Sequence, residues 1–171
     1  MAKVLWLTGL PGSGKSTIAD AFLERHPQWI LLRMDDLRRF ITPEPTYSEE
    51  ERELLYRSIV YMAREFYRKG MNVLIDATAN RRRWRDLARK EIKDFIEVYL
   101  RASLETCMER ESRRKDTKGA PEDIYKKGKA GWPVPGVTVP YEEPLNPELI
   151  IDTEKLSPQE AVELMERLTF A

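Results

Sequence analysis

Eight residues near the amino end, Gly9-Leu10-Pro11-Gly12-Ser13-Gly14-Lys15-Ser16, match the phosphate-binding pattern G-x-x-x-x-G-K-[ST] at every fixed position. The glycines let the backbone curl so that successive amides point inward at phosphate oxygens. Lys15 can reach the β- and γ-phosphates, and the Ser16 hydroxyl can ligate Mg²⁺. The segment Gly9 to Thr17 (Gly9, Leu10, Pro11, Gly12, Ser13, Gly14, Lys15, Ser16, Thr17) is therefore expected to cradle ATP.

Binding a nucleotide does not define a reaction, so an acceptor site has to be argued from other residues. Asp35 in Arg33-Met34-Asp35-Asp36-Leu37-Arg38 can take the proton of an attacking hydroxyl, as the aspartate of phosphotransferases does. Arg38, three residues on, can hold an anionic acceptor by a bidentate contact. Asp36 reads equally as a helix cap. Asp76, in Asp76-Ala77-Thr78, can order a water on Mg²⁺, which makes Ser16 and Asp76 the expected metal pair. Arg81-Arg82-Arg83-Trp84-Arg85 is either an anion site, with Arg82 its candidate, or a solvated helix face. Arg52 and Arg57 either face the acceptor or pair with neighbouring glutamates. Among Arg110, Arg113 and Arg114, one is expected to neutralise the transferring phosphoryl group. Arg110 is assigned to catalysis, and Arg110 with Arg113 to ATP binding. His26 reads as an exposed residue at a helix end, and Cys107 as core filling. No Cys/His cluster suggests zinc.

These residues need a scaffold that brings strand ends together. Short apolar runs, at Val4–Leu7, Trp29–Arg33, Val73–Asp76, Phe95–Leu100 and Leu149–Ile151, alternate with amphipathic helices. Nearly continuous apolar runs suit parallel strands covered on both faces. The expected fold is α/β: a five-stranded parallel sheet flanked by helices, in one P-loop kinase domain over residues 1–171, with ligands beyond the strand carboxyl ends. Ser48 with Glu51, and Ser157 with Pro158 and Glu160, read as capping boxes, and Gly70 as a helix stop. From Asp116 to Pro144 the periodicity lapses among prolines, glycines and lysines, as expected of a lid over the nucleotide.

Lys+Arg and Asp+Glu balance at 29 each, which removes any global basic charge for non-specific nucleic-acid binding. No apolar run is long enough to cross a bilayer, so no membrane partner is expected. The single cysteine permits no intrachain disulfide. With no secretory signal at the amino end, a reducing, cytoplasmic location is expected.

The chain resembles the adenylylsulfate (APS) kinases. The likeness rests on Trp6-Leu7-Thr8-Gly9-Leu10, on Asp35-Asp36-Leu37-Arg38, on Tyr125-Lys126-Lys127-Gly128-Lys129-Ala130-Gly131, and on Pro140-Tyr141-Glu142 through Pro144, followed by Ile151-Asp152-Thr153. The resemblance implies phosphorylation of the ribose 3′-hydroxyl of adenosine 5′-phosphosulfate, with ATP and Mg²⁺. Asp35 would be the base, and Arg38, Arg52 and Lys127 would contact APS or phosphates. The chain departs from that family at Asp36 and Leu55, where the family has Asn, and at Val134-Pro135-Gly136, where it has Phe-Thr-Gly against the APS adenine. Nearby Trp132 is a candidate to stack instead. Arg33–Arg38 and Asp76-Ala77-Thr78-Ala79-Asn80 are also similar to polynucleotide 5′-kinases. That leaves a nucleic-acid 5′-hydroxyl as the alternative acceptor, and a regulatory ATPase as an alternative class. The expected partners are a small nucleotide substrate and, as an open possibility, a second copy of the chain.

Overall fold

The computed structural model describes residues 1–118 and 120–171; Gly119, inside the expected lid, lies outside the described residues. The elements run β1 (Val4–Thr8), α1 (Lys15–Arg25), β2 (Ile30–Arg33), α2 (Met34–Ile41), α3 (Glu49–Arg68), β3 (Val73–Asp76), α4 (Arg82–Glu91), β4 (Phe95–Arg101), α5 (Leu104–Ser112), α6 (Ile124–Lys129), β5 (Leu149–Asp152) and α7 (Pro158–Thr169). The strands form one parallel sheet in the order β2-β3-β1-β4-β5.

The inner strands β1 and β3 alternate between two cores. Val4 and Trp6 face a cluster with α2, α3 and α4, whereas Leu5 and Leu7 face one with α1 and α7. Both faces of these two strands are covered, which is why they read as nearly continuous apolar runs, whereas Ile150 of edge strand β5 is exposed. On the first face Trp6, Tyr56 and Trp84 stack in a row. The row reaches the functional end of the sheet: Trp6 Nε1 donates to Ala77 O at 2.9 Å, and the Tyr56 hydroxyl accepts from Ala79 N at 2.8 Å. Ala79 sits at φ +47°, a strained conformation for a residue with a Cβ, so this core bond holds the β3–α4 turn in place.

Three local expectations change. Ser48 caps α3 by accepting from Glu51 N, but the Glu51 carboxylate turns to Thr46 and Tyr47 amides, so this capping box is half formed. The Ser157–Glu160 box is complete. The lid is not irregular throughout: α6 lies inside it. His26 is half-buried rather than exposed, 2.7 Å from Glu166 and against the Phe22 and Phe170 rings. The lid is docked. Tyr125 packs with Cys107 and Val134, and its hydroxyl donates to the Pro11 carbonyl of the loop. Gly136 approaches Leu10 so closely that a Cβ there would lie 2.9 Å from its side chain.

Candidate active site

The loop after β1 leaves α1 uncapped. Gly14 at φ +103° is the N-cap, no side chain caps the helix, and no acid lies in its first turn. The first internal bond is Ile18 N to Gly14 O, so the amides of Lys15, Ser16 and Thr17 have no partner within the helix. Three open donors and the positive end of the helix dipole make an anion site. Glycine is required at position 12: φ is +84°, and a Cβ would lie 2.5 Å from the Cys107 carbonyl. Lys15 Nζ donates to Gly9 O and Leu10 O, both at 3.0 Å. Burial lowers its pKa, with Asp76 and Asp35 acting in the opposite sense. Arg110 fastens the other side of the loop, donating to Gly12 O at 3.3 Å, Thr153 Oγ1 at 3.0 Å and Thr153 O at 2.7 Å.

Beside the loop, Ser16 Oγ donates to Asp76 Oδ2 at 2.8 Å. A hydroxyl and a carboxylate oxygen at this spacing are hard ligands of the kind Mg²⁺ takes when substrate phosphates and waters complete its shell. No group of three or more His, Cys, Asp or Glu that could hold a metal by itself occurs among the described residues. The pair therefore fits a metal that arrives with a nucleotide.

A cavity of about 360 Å³ joins this loop to the ends of β2 and β3. Asp35, in the first turn of α2, lines it. Burial first, and the nearby Asp76 second, push its carboxyl up to about 6, against the pull of Arg38 and Lys15. Arg38 is buried, bonded to Glu51 at 3.2 Å, and lies over the Tyr47 ring at 4.7 Å. Arg52 is only 6% exposed, and among the described residues its one hydrogen bond goes to the Pro133 carbonyl of the lid. No ion pair is recorded for it among the described residues, and burial lowers its pKa. An unpaired buried cation on a cavity wall is a place where an anionic ligand gains most.

The structure brings Lys15, Ser16, Asp35, Arg38, Arg52, Asp76 and Arg110 to this cavity, along with the loop residues Pro11, Gly12, Gly14 and Thr17. Gly9, Leu10 and Ser13 support the loop from behind. It does not bring in four other expected residues. Arg57 points to solvent beside Glu53, because it lies off the α3 stripe that carries Arg52. Arg113 pairs with Glu109 in solvent, and Arg114, one residue on, lines the cavity instead. Arg82 donates to the Glu143 carbonyl. Lys127 sits over the Trp132 ring at 4.7 Å. Asp36 pairs with Arg39 and caps nothing, since Arg33 is the N-cap residue of α2. Leu55 and Val134 are fully buried in apolar clusters. Sequence reasoning missed Tyr47, Tyr56 and Asn80. Of these, Asn80 carried a signal, since it closes the Asp76-Ala77-Thr78-Ala79-Asn80 stretch leaving β3; its buried side chain donates to the Pro140 carbonyl at 3.0 Å.

A family model described as adenylylsulphate kinase matches residues 1–152. The chain belongs to the adenylylsulphate kinase family. A probable adenylyl-sulfate kinase of Archaeoglobus fulgidus is 38% identical over 161 residues, covering 91% of this chain and 98% of that one. An adenylyl-sulfate kinase of Staphylococcus carnosus is 37% identical over 168 residues, with 94% and 80% covered. Among solved structures, the Mycobacterium tuberculosis APS kinase CysC in complex with AMPPNP and APS superposes with a TM-score of 0.86 at 28% identity, covering 99% of this chain and 98% of that one. The family is one of kinases, in keeping with the phosphate loop and the carboxyl facing it. No helix among the described residues is long and apolar enough to cross a membrane.

Proposed function

We propose that this chain transfers the γ-phosphoryl group of ATP to the ribose 3′-hydroxyl of adenosine 5′-phosphosulfate. The observation that carries the reading is the composition of the cavity beside the phosphate loop. A phosphate loop with open amides, a carboxyl titrating at about 6, and two buried arginines share its walls. ATP lies along Gly9–Thr17, and Lys15 exchanges its two loop carbonyls for phosphate oxygens. Arg38 and Arg52 hold the phosphosulfate end of the acceptor, which sets the 3′-hydroxyl near Asp35. The Asp35 carboxylate takes the hydroxyl proton as that oxygen bonds to the γ-phosphorus. The bond between the γ-phosphorus and its bridging oxygen breaks, and ADP leaves. Ser16 and Asp76 would hold Mg²⁺, which supplies charge neutralisation on the β- and γ-phosphates. Arg110 and Tyr125 keep the loop and the docked lid in register, so that water is kept from the γ-phosphate.

The test is product identification. Incubation with ATP, Mg²⁺ and APS, followed by chromatography and phosphorus NMR, should give ADP and a 3′-phosphorylated product one for one. ADP formed without that product would refute the acceptor assignment.

A further inference from the structure

Arg33 does not line the cavity, yet at the phosphate end it pairs with two carboxylates at once. Its Nε donates to Asp76 Oδ2 at 2.8 Å, and its NH2 donates to Asp20 Oδ1 at 2.8 Å. The side chain is 9% exposed. Its position follows from the sheet. Arg33 and Asp76 are direct partners in the parallel register of β2 and β3, and their neighbours Leu31 and Leu74 face α1. Alternation along the strands therefore puts both side chains on the α1 side. On α1, Ser16 and Asp20 lie one turn apart and share a face. The guanidinium fork spans three elements, and Asp76 Oδ2 receives both Arg33 Nε and Ser16 Oγ. Asp20 is in turn held from outside by Lys118 Nζ at 2.7 Å.

We propose that Arg33 is a positioning residue for the metal pair: its fork fixes the Asp76 carboxylate against Ser16, and Asp20 fixes the fork. This rests on the proposed reading that Ser16 and Asp76 receive Mg²⁺ with ATP. A lysine at position 33 would keep the charge but could not bridge two carboxylates in one plane. The substitution therefore separates geometry from electrostatics.

The experiment is titration calorimetry of ATP binding to the full chain, once with Mg²⁺ and once in EDTA. The ratio of the two affinities measures what the metal adds. In Arg33→Lys this ratio should fall at least about fivefold, while affinity in EDTA stays within about twofold, since the open amides and Lys15 are untouched. Asp20→Ala, which lies outside the cavity wall, should lower the ratio in the same sense but by less. It serves as the second variant if Arg33→Lys folds poorly. Equal losses with and without Mg²⁺ would mean that Arg33 only braces the fold. A ratio that is unchanged or larger in both variants would overturn the positioning role. If the unaltered chain gains nothing from Mg²⁺, the metal pair itself is wrong, which is a separate failure from that of Arg33.

Discussion

Lowering the pH titrates Asp35 at a value the cavity sets. An ordinary aspartate, near 3.8, is more than about nine-tenths ionised at pH 5. Held at about 6 by burial and by Asp76, Asp35 is about one-eleventh ionised at pH 5 and about ten-elevenths ionised at pH 7. If it must be a carboxylate to take the hydroxyl proton, kcat/KM for the acceptor at saturating Mg·ATP falls about tenfold from pH 7 to pH 5. With an unshifted carboxylate it would fall by less than about a tenth. The assay is coupled ADP release across that range. Protonation of the nucleotide is separated by Asp35→Asn. This variant should turn over about 10²–10⁴-fold more slowly, and its residual rate should lack the acid limb. The same shift has a stability consequence of opposite sense. The folded chain binds the proton more tightly than the unfolded one, so Asp35 favours folding below about pH 4. That contribution is lost as pH rises through about 6. The cost at pH 8 is at most about 3 kcal/mol, and Asp35→Asn should raise the melting midpoint there but not at pH 4. A flat kcat/KM between pH 5 and 7, or an acid limb that survives in Asp35→Asn, would refute the reasoning.

Three further outcomes follow from the geometry. Lys15→Ala should abolish turnover with every acceptor while the fold persists, because among the described residues Lys15 bonds only to two loop carbonyls; circular dichroism and ADP release check both. Arg52→Met should raise KM for APS about tenfold to a hundredfold with KM for ATP nearly unchanged, the scale of a hydrogen bond to a charged group. Its melting point should hold or rise, because it removes a buried cation with no recorded ion pair. Arg57→Ala is the matched control and should change neither. Tyr125→Phe removes the lid's bond to Pro11 and should increase acceptor-independent ATP hydrolysis severalfold; an unchanged leak would mean that lid docking does not depend on that bond.

The local parts of the site were legible in the sequence, and the parts set by tertiary geometry were not. The phosphate loop works through consecutive amides, so its whole chemistry lies in one stretch of eight residues. The strands followed from short apolar runs, broken within β4 only by Glu97. Arg52 and Arg57 could have been separated in advance: Arg52 shares the helical stripe of Leu55, Tyr56 and Ile59, and Arg57 does not. Lys127, Arg82 and Arg113 were basic residues in the right segments, but what each one meets depends on Trp132, Glu143 and Glu109. The role of Arg33 depends on the register between β2 and β3, which no local pattern encodes. The half-formed box at Ser48 failed for a similar reason. Thr46 and Tyr47 offered Glu51 donors that compete with the N-cap amide.

The central claim is that this cavity joins ATP to a sulfated nucleotide. Its most direct test is ADP release with Mg·ATP in the presence of APS, of an oligonucleotide bearing a 5′-hydroxyl, or of no acceptor. The account predicts saturable release with APS, release with the oligonucleotide no greater than the blank, and loss of all release in Lys15→Ala. Turnover with the oligonucleotide and none with APS would contradict it.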